Sequence, residues 1–206
     1  MVDIHDEYRP TGYSRTYPNL LTQEGVRGNE EMPDANHNTL LPFTRFLAGP
    51  ADYTLCYFNN RVKNTHAHQL AMAAVYYSPL QFMFWYDQPD AYHGEAELQF
   101  WKDIPTVWDD SKALDGVPGE YIVQARRSGN DWFVGTMTNT SGRSITLHTR
   151  DFLTPGVNYK VEIYTDDPSF NTRTHVRTSV RDIKSGKDLI LKLQPSGGAA
   201  LHFMVK

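Results

Sequence analysis

The sequence predicts an α/β portion followed by an all-β portion, on three observations. Up to about residue 111, short apolar runs alternate with helical periodicity and long polar loops. From about Gly116 the apolar pattern repeats every second residue. Turn residues then recur at roughly ten-residue spacing, the signature of an antiparallel β-sandwich.

Residues 2–4 and 20–23 are short strand candidates that run into His5-Asp6 and Glu24. Over 65–77, Leu70, Ala73, Ala74 and Tyr77 fall on one helical face. Ser78-Pro79 closes that helix, because a residue preceding proline leaves the α region. Residues 80–86 are apolar almost throughout and are expected to add a helical turn or two. Residues 96–102 form another short amphipathic piece, stopped by Asp103-Ile104-Pro105. Strands are then expected over 120–126, 131–137, 144–148, 159–165, 176–183, 188–193 and 199–205. Turns fall at Ser128-Gly129-Asn130, Pro155-Gly156 and Ser185-Gly186. A turn-rich connection over 111–118 divides the chain into residues 1–112 and 117–206.

At 206 residues, with 40% hydrophobic and 21% charged side chains, the composition excludes wholesale disorder. The aromatic share of 13% suits β-structure, a large core or a sugar-stacking surface. A net charge of −4 gives no electrostatic case for nucleic acid. The single cysteine, Cys56, excludes an intramolecular disulfide framework and a thiolate-rich zinc site. No run approaches the ~18 apolar residues of a membrane span. Met1 to Pro10 hold three acids and lack the apolar stretch of a signal peptide.

Carboxylates gather near the start: Asp3, Asp6, Glu7, Glu24, Glu30 and Glu31. Asp6 and Glu24 each follow a strand candidate, and in parallel β/α arrangements strand C-termini share the face where active sites form. Gly25 and Gly28 allow the loop after Glu24 to turn sharply, so Glu24 and Glu30 can converge on one ion or one substrate. Oxygen donors without thiolates favour a hard cation, calcium before zinc. Paired carboxylates are also the minimum equipment for glycoside hydrolysis. Taken alone, a solvated acidic surface explains six carboxylates more simply. His66 and His68, two apart on a helix, make a poor metal pair.

The runs His5-Asp6, Arg9-Pro10-Thr11-Gly12, Arg15-Thr16-Tyr17-Pro18-Asn19-Leu20 and Glu24-Gly25-Val26-Arg27-Gly28-Asn29-Glu30 strongly resemble glycoside hydrolase family 97. The likeness continues through Leu41-Pro42-Phe43-Thr44-Arg45, Gly49-Pro50-Ala51-Asp52-Tyr53-Thr54, Ser78-Pro79-Leu80-Gln81 and Ile104-Pro105-Thr106-Val107-Trp108-Asp109. It reaches Ala125-Arg126-Arg127 and Trp132-Phe133-Val134-Gly135, so essentially the whole chain is covered. Leu55-Cys56 departs from the Pro-Gly that the family usually places after Asp-Tyr-Thr.

The resemblance implies bacterial α-glucosidases and α-galactosidases built from an N-terminal β-sandwich, a (β/α)8 barrel and a C-terminal β-sandwich. On it, this chain is the last part of the barrel plus the complete C-terminal sandwich. Glu30 matches the family's general acid, and Glu24 matches a calcium-coordinating glutamate. Asp6 stands where inverting members carry a glutamate that serves as general base and calcium ligand, which tilts the expectation towards inversion. The expected calcium ligands are therefore Glu24, Glu30 and Asp6. His5 and Arg15 are expected to contact sugar hydroxyls, and His37 to orient a ligand carboxylate. Arg27 and Arg45 are expected to tie loops to the barrel rim, and Trp85, Tyr86, Trp101 and Trp108 to pack in the core.

The resemblance is already in register at Val2, so Met1 is expected to lie inside a longer reading frame. The partners implied are an oligo- or polysaccharide substrate and the missing N-terminal part of the same enzyme. Parents of this family are typically exported, which implies a periplasmic or secreted full-length protein. Alone, the chain is expected to be inactive and poorly folded before about residue 110. The rival reading is a non-catalytic carbohydrate-binding or adaptor protein. It requires a row of exposed aromatics among Tyr121, Trp132, Phe133, Tyr159 and Tyr164.

Overall fold

The computed structural model describes residues 1–6 and 9–206, so Glu7 of the acidic opening lies outside the described residues. Strands β1 (Val2–Ile4) and β2 (Leu20–Gln23) pair in parallel, with helix α1 (Tyr13–Thr16) in their connection. Ile4 stands opposite Gln23, so both strands end on one side, at His5 and Glu24. This pair is the only parallel pairing among the described residues, and no closed barrel is formed there. Helices α2 (Ala35–Leu40), α3 (His66–Val75) and α4 (Gln99–Asp103) follow.

Helix α3 starts where Thr65 Oγ1 accepts the His68 N–H at 3.2 Å, a side-chain N-cap. It ends at Tyr76, whose backbone is extended, two residues ahead of Ser78-Pro79. The expectation of one apolar face is corrected. Every residue from Ala67 to Val75 is buried, whereas Tyr77 is exposed. A helix buried all round has partners on every side. Here Tyr53, Leu55, Tyr57, Leu98 and Phe100 share one core with the helix and with sheet residues Ile122, Phe133 and Met137.

Residues 80–86 form no helix, against expectation. Their backbone groups are already engaged elsewhere. The Phe82 N–H donates to Asp52 Oδ1 at 3.0 Å and the Trp85 N–H to the Leu55 carbonyl at 2.8 Å, while Leu55 N–H donates to the Phe82 carbonyl at 3.0 Å. Pairing with residues 52–57 therefore replaces the local helical ladder.

The remaining strands are β3 (Asp110–Val117), β4 (Tyr121–Ser128), β5 (Asp131–Thr138), β6 (Arg143–Leu147), β7 (Asn158–Asp166), β8 (Val176–Lys184), β9 (Leu189–Leu193) and β10 (Gly198–Val205). All pair antiparallel, six in the order β3-β4-β5-β10-β7-β8 and two as β6-β9. Strand β3 corrects the connection expected over 111–118: it pairs with β4 from Asp110 opposite Arg127 to Val117 opposite Tyr121. Its side chains alternate half-buried and exposed, as on a sheet edge. Gly116, read as a turn signal, is instead a packing position, since a Cβ there would stand 2.7 Å from Phe43 Cζ.

Period-two alternation sorts the six-stranded sheet into two faces. Trp132, Val134, Val161, Leu201 and Phe203 meet Ile145, Leu147, Leu191 and Leu193 of the small sheet, which makes the sandwich-like core. Ile122, Phe133, Met137 and Ala200 meet α3 on the other face.

The helix lies flush on the sheet because the contact is made of small residues. A Cβ on Gly135 would stand 2.5 Å from the Ala71 carbonyl oxygen, and one on Gly198 2.7 Å from His68 Cα. Both helix ends are also satisfied from the sheet. Asp166 accepts from Thr65 Oγ1 at 2.8 Å and from the Ala67 N–H at 3.4 Å, at the positive end of the helix dipole. Arg126 donates to the carbonyls of Ala74 at 2.7 Å and Val75 at 3.0 Å, at the negative end. Burial pushes the Arg126 guanidinium down to about 10, so it stays charged at neutral pH.

Two expected outcomes follow from this seating. Gly135→Ala forces a methyl against backbone, and chemical unfolding should show a loss of about 1–3 kcal/mol. Burial pushes the Asp166 carboxyl up to about 6 from 3.8, with its three hydrogen bonds opposing. Between those values the folded chain holds more protons than the unfolded one. Its contribution is therefore full below pH 3.8 and lost as pH rises through about 6, a change of about 2–3 kcal/mol. The difference in urea-unfolding free energy between wild type and Asp166→Asn should fall over that window, and a flat difference contradicts the assignment.

Candidate functional site: carboxylates at the ends of two parallel strands

Because β1 and β2 run parallel, they deliver His5-Asp6 and Glu24 to the same edge. Beyond Glu24 the chain turns through Gly28 and back to Asn29 and Glu30. Two contacts pin this turn to a neighbouring segment: Asn29 N–H donates to the Tyr53 carbonyl at 2.9 Å, and Glu30 N–H to Thr54 Oγ1 at 3.3 Å. A Cβ at Gly28 would stand 2.7 Å from Thr54 Oγ1 and 3.1 Å from Glu24 Oε1, so glycine is what lets the turn close over the site. The Asn29 side chain donates to Gln69 Oε1 on α3 at 2.9 Å, which ties the turn to the helix on the sheet.

His5, Asp6, Glu24 and Glu30 each offer one ligand atom, and all four atoms lie within 4.8 Å of one another. His5 bridges the two glutamates, with Nδ1 3.1 Å from Glu24 Oε2 and Nε2 3.6 Å from Glu30 Oε2. The Asp6 N–H donates to Glu24 Oε2 at 2.7 Å, from a left-handed backbone at φ 59° that carries the side chain back towards the strand ends. Burial raises the Glu24 carboxyl above its ordinary range, and Glu30 and Asp6 add to the rise. The Asp6 backbone N–H and His5 work against it. Three carboxylate oxygens and one imidazole, drawn together against their own repulsion, form a donor set that suits a hard cation.

Arg15 and His37 do not join this group. Arg15 lies on α1 and lines a separate depression of about 430 Å3 with Thr22, Gln23, Gly49 and Pro50. His37 Nε2 lies 3.1 Å from the Arg27 carbonyl, and burial holds its imidazole below the usual range, so it braces the backbone of the turn. Arg27 pairs with Glu31 at 3.1 Å on the surface. Arg45 donates to the carbonyls of Gln23, Glu24, Gly25, Gly49 and Pro50, all at 2.9–3.2 Å, and so holds the end of β2 in place.

Two residues of this region escape sequence reasoning. Trp85, expected to pack in the core, donates its indole N–H to Glu30 Oε2 at 3.0 Å and lies 4.9 Å from the His5 ring. Nothing in local spacing announces a contact across 55 residues. Asp52 is fully buried, accepts from Thr54 N–H and Phe82 N–H, and is pushed up to about 7 by burial. Its signal was an acid set between Ala51 and Tyr53 in an otherwise uncharged run. Cys56 is buried and its thiol is pushed up to about 11, which keeps it protonated.

The aromatics required by a glycan-binding face are turned inward. Trp132, Phe133, Tyr159 and Tyr164 are buried, and Tyr121 is half-buried beneath the Arg143 guanidinium, 4.6 Å from its ring. No helix among the described residues is long and apolar enough to cross a membrane.

Residues 107–204 match the family model described as "Glycosyl-hydrolase 97 C-terminal, oligomerisation". A retaining alpha-galactosidase of Bacteroides thetaiotaomicron is 36% identical over 98% of this chain and 33% of its own length. A probable retaining alpha-galactosidase of Streptomyces bingchenggensis is 35% identical over 66% of this chain and 22% of its own length. Among solved structures, a glycoside hydrolase family 97 enzyme from Pseudoalteromonas sp. strain K8, in complex with acarbose, superposes with a TM-score of 0.84 at 36% identity. That match covers 99% of this chain and 34% of the enzyme. The class shared by these relatives is the glycoside hydrolases. Within it, this chain belongs to glycoside hydrolase family 97, and it spans about a third of the length of the relatives it matches.

Proposed function

We propose that this chain is the part of a family 97 glycosidase that contributes the general acid and a set of cation ligands to an active site completed by upstream strands. The observation that carries the reading is the convergence of His5, Asp6, Glu24 and Glu30 within 4.8 Å at the ends of two parallel strands. α-Galactosides are the preferred substrate class, on the two relatives named as such, with α-glucosides second.

Glu30 acts as general acid, protonating the leaving glycosidic oxygen. Trp85 and His5 both address its Oε2, which orients the carboxyl group. Asp6 acts as a cation ligand in this reading. A water-activating base stands roughly 6.5–9.5 Å from the acid in inverting enzymes. One oxygen of Asp6 and one of Glu30 lie within 4.8 Å, closer than that separation. Together with the retaining relatives, this spacing favours retention, with the nucleophile supplied from outside the chain.

Glu24, Glu30 and Asp6 would hold Ca2+, which when bound neutralises their mutual repulsion and polarises substrate oxygens. Glu24 supports the fit, because its carboxyl is raised by burial and by two like charges that a dication would offset.

Glu30→Gln, in an enzyme that joins this chain to the upstream part of its relatives, should lower kcat on p-nitrophenyl α-galactoside by about 10²–10⁴-fold. A 2,4-dinitrophenyl leaving group, which needs little protonation, should lose far less. Full activity on both substrates would remove Glu30 from the acid role. Calcium at a hundred times its dissociation constant should stabilise the protein by about 2.7 kcal/mol, read as a rise in melting temperature. EDTA should reverse the rise and Glu24→Gln should abolish it; a melting temperature indifferent to calcium and EDTA contradicts the site.

A further inference from the structure

A second group of ligating side chains lies at the seam between α4 and the six-stranded sheet. Asp103 at the end of α4, Glu162 on β7 and His202 on β10 offer ligand atoms within 4.8 Å of one another. Glu162 and His202 are direct cross-strand partners, so their proximity is set by sheet register rather than by flexible loops.

The His202 ring is held in one orientation. It stacks on Phe133 with centroids 4.1 Å apart, and its Nε2 lies 2.9 Å from Asp131 Oδ2. The other ring nitrogen is the telling atom. The His202 side chain is more than nine-tenths buried, yet Nδ1 has no hydrogen-bond partner among the described residues. It faces Asp103 Oδ2 at 3.8 Å, too far for a hydrogen bond. Two ligands about 2.1 Å from a shared tetrahedral ion stand roughly 3.4 Å apart, close to this gap. An imidazole whose far nitrogen meets a carboxylate while its near nitrogen faces open donors is the second-sphere arrangement that orients metal-bound histidines.

The other two groups are compatible with coordination. Asp103 Oδ1 accepts from Gln99 Nε2 at 2.7 Å, which leaves Oδ2 to the site. Glu162 accepts from Lys160 Nζ at 2.7 Å and from the Tyr164 hydroxyl at 3.0 Å. Each carboxylate oxygen keeps a lone pair beyond those bonds. Lys160 is exposed enough to swing its ammonium into solvent.

We propose that Asp103, Glu162 and His202 form a binding site for a divalent zinc-class cation, oriented by Asp131, that clamps α4 onto the C-terminal sheet. One imidazole and two carboxylates match the ligand types zinc takes, and the mixed donor set separates it from the carboxylate-dominated cluster at the strand ends. The site does not depend on the glycosidase reading.

The test uses the whole chain with Glu24→Gln and Glu30→Gln, so that the strand-end cluster does not contribute, and zinc chloride as the probe. Equilibrium dialysis with elemental analysis should find one zinc per chain. Asp103→Asn in that background should weaken zinc affinity at least tenfold. Asp103 is exposed and asparagine keeps its size, so circular dichroism and melting in the absence of metal should be unchanged. Zinc should also shift the His202 ring signals in a nitrogen-15 spectrum. Absence of stoichiometric zinc in the folded background protein, zinc binding indifferent to Asp103→Asn, or His202 signals that do not move would each overturn the proposal.

Discussion

The seating of α3 on the six-stranded sheet is the constraint on which the rest of the structure depends. Gly135 and Gly198 remove the side chains that would hold the helix away, and Ala67, Ala71 and Ala74 do the same from the helix side. Close approach alone would leave the helix ends unsatisfied in a dry interior. Asp166 meets the first end as a hydrogen-bond acceptor, and Arg126 meets the second with a charge of the sign that the dipole prefers. Helix and sheet therefore form one body. Through Gln69 and Asn29 that body also holds the turn bearing Glu30.

Much of this was legible in the sequence wherever the determining contacts are local. The short strands at 2–4 and 20–23 and seven period-two strands of the C-terminal part show as alternation, because each needs only its own pattern and its bounding turns. The loop from Glu24 to Glu30 was legible for the same reason: two glycines and three acids within eight residues state its geometry. Legibility ends where a distant segment decides. Residues 80–86 look helical, but Asp52 and Leu55 take their backbone groups. Strand β3 looks like a connection, since its edge position asks for polar residues and its Gly116 is there to admit Phe43. Arg15 and His37 look like site residues by type, and only the fold shows one in a different depression and the other bound to a carbonyl.

The strand-end cluster illustrates how a fold holds together groups that repel. Glu24, Glu30 and Asp6 are kept close by bonds to their backbones, not by attraction between their side chains. Glu24 N–H is held by the Ile4 carbonyl and Glu30 N–H by Thr54 Oγ1, while Asp6 N–H donates to the Glu24 carboxylate, so backbone groups carry the carboxylates into position. His5 lies between the two glutamates, with one ring nitrogen towards each. The cluster and the Asp103–Glu162–His202 group thus share a logic: rigid strands set the spacing before any ligand arrives. Each lies against an aromatic ring, Trp85 and Phe133 respectively, and they differ in exposure: the histidine of the first is exposed and that of the second buried.

Arg45 has a further consequence, which concerns ionic strength. Its guanidinium is compensated by five carbonyl dipoles and, among the described residues, by no carboxylate. Dissolved ions weaken the attraction between exposed opposite charges, as in the Arg27–Glu31 pair at 3.1 Å, once the Debye length has shrunk from about 10 Å at 0.1 M salt to about 3 Å at 1 M. Short hydrogen bonds from a half-buried guanidinium to fixed carbonyls offer no such opening to counter-ions. The anchor behind Glu24 is accordingly salt-tolerant, whereas the rim in front of it is not. In concentrated electrolyte the edges of the turn would loosen first, while the end of β2 kept its place.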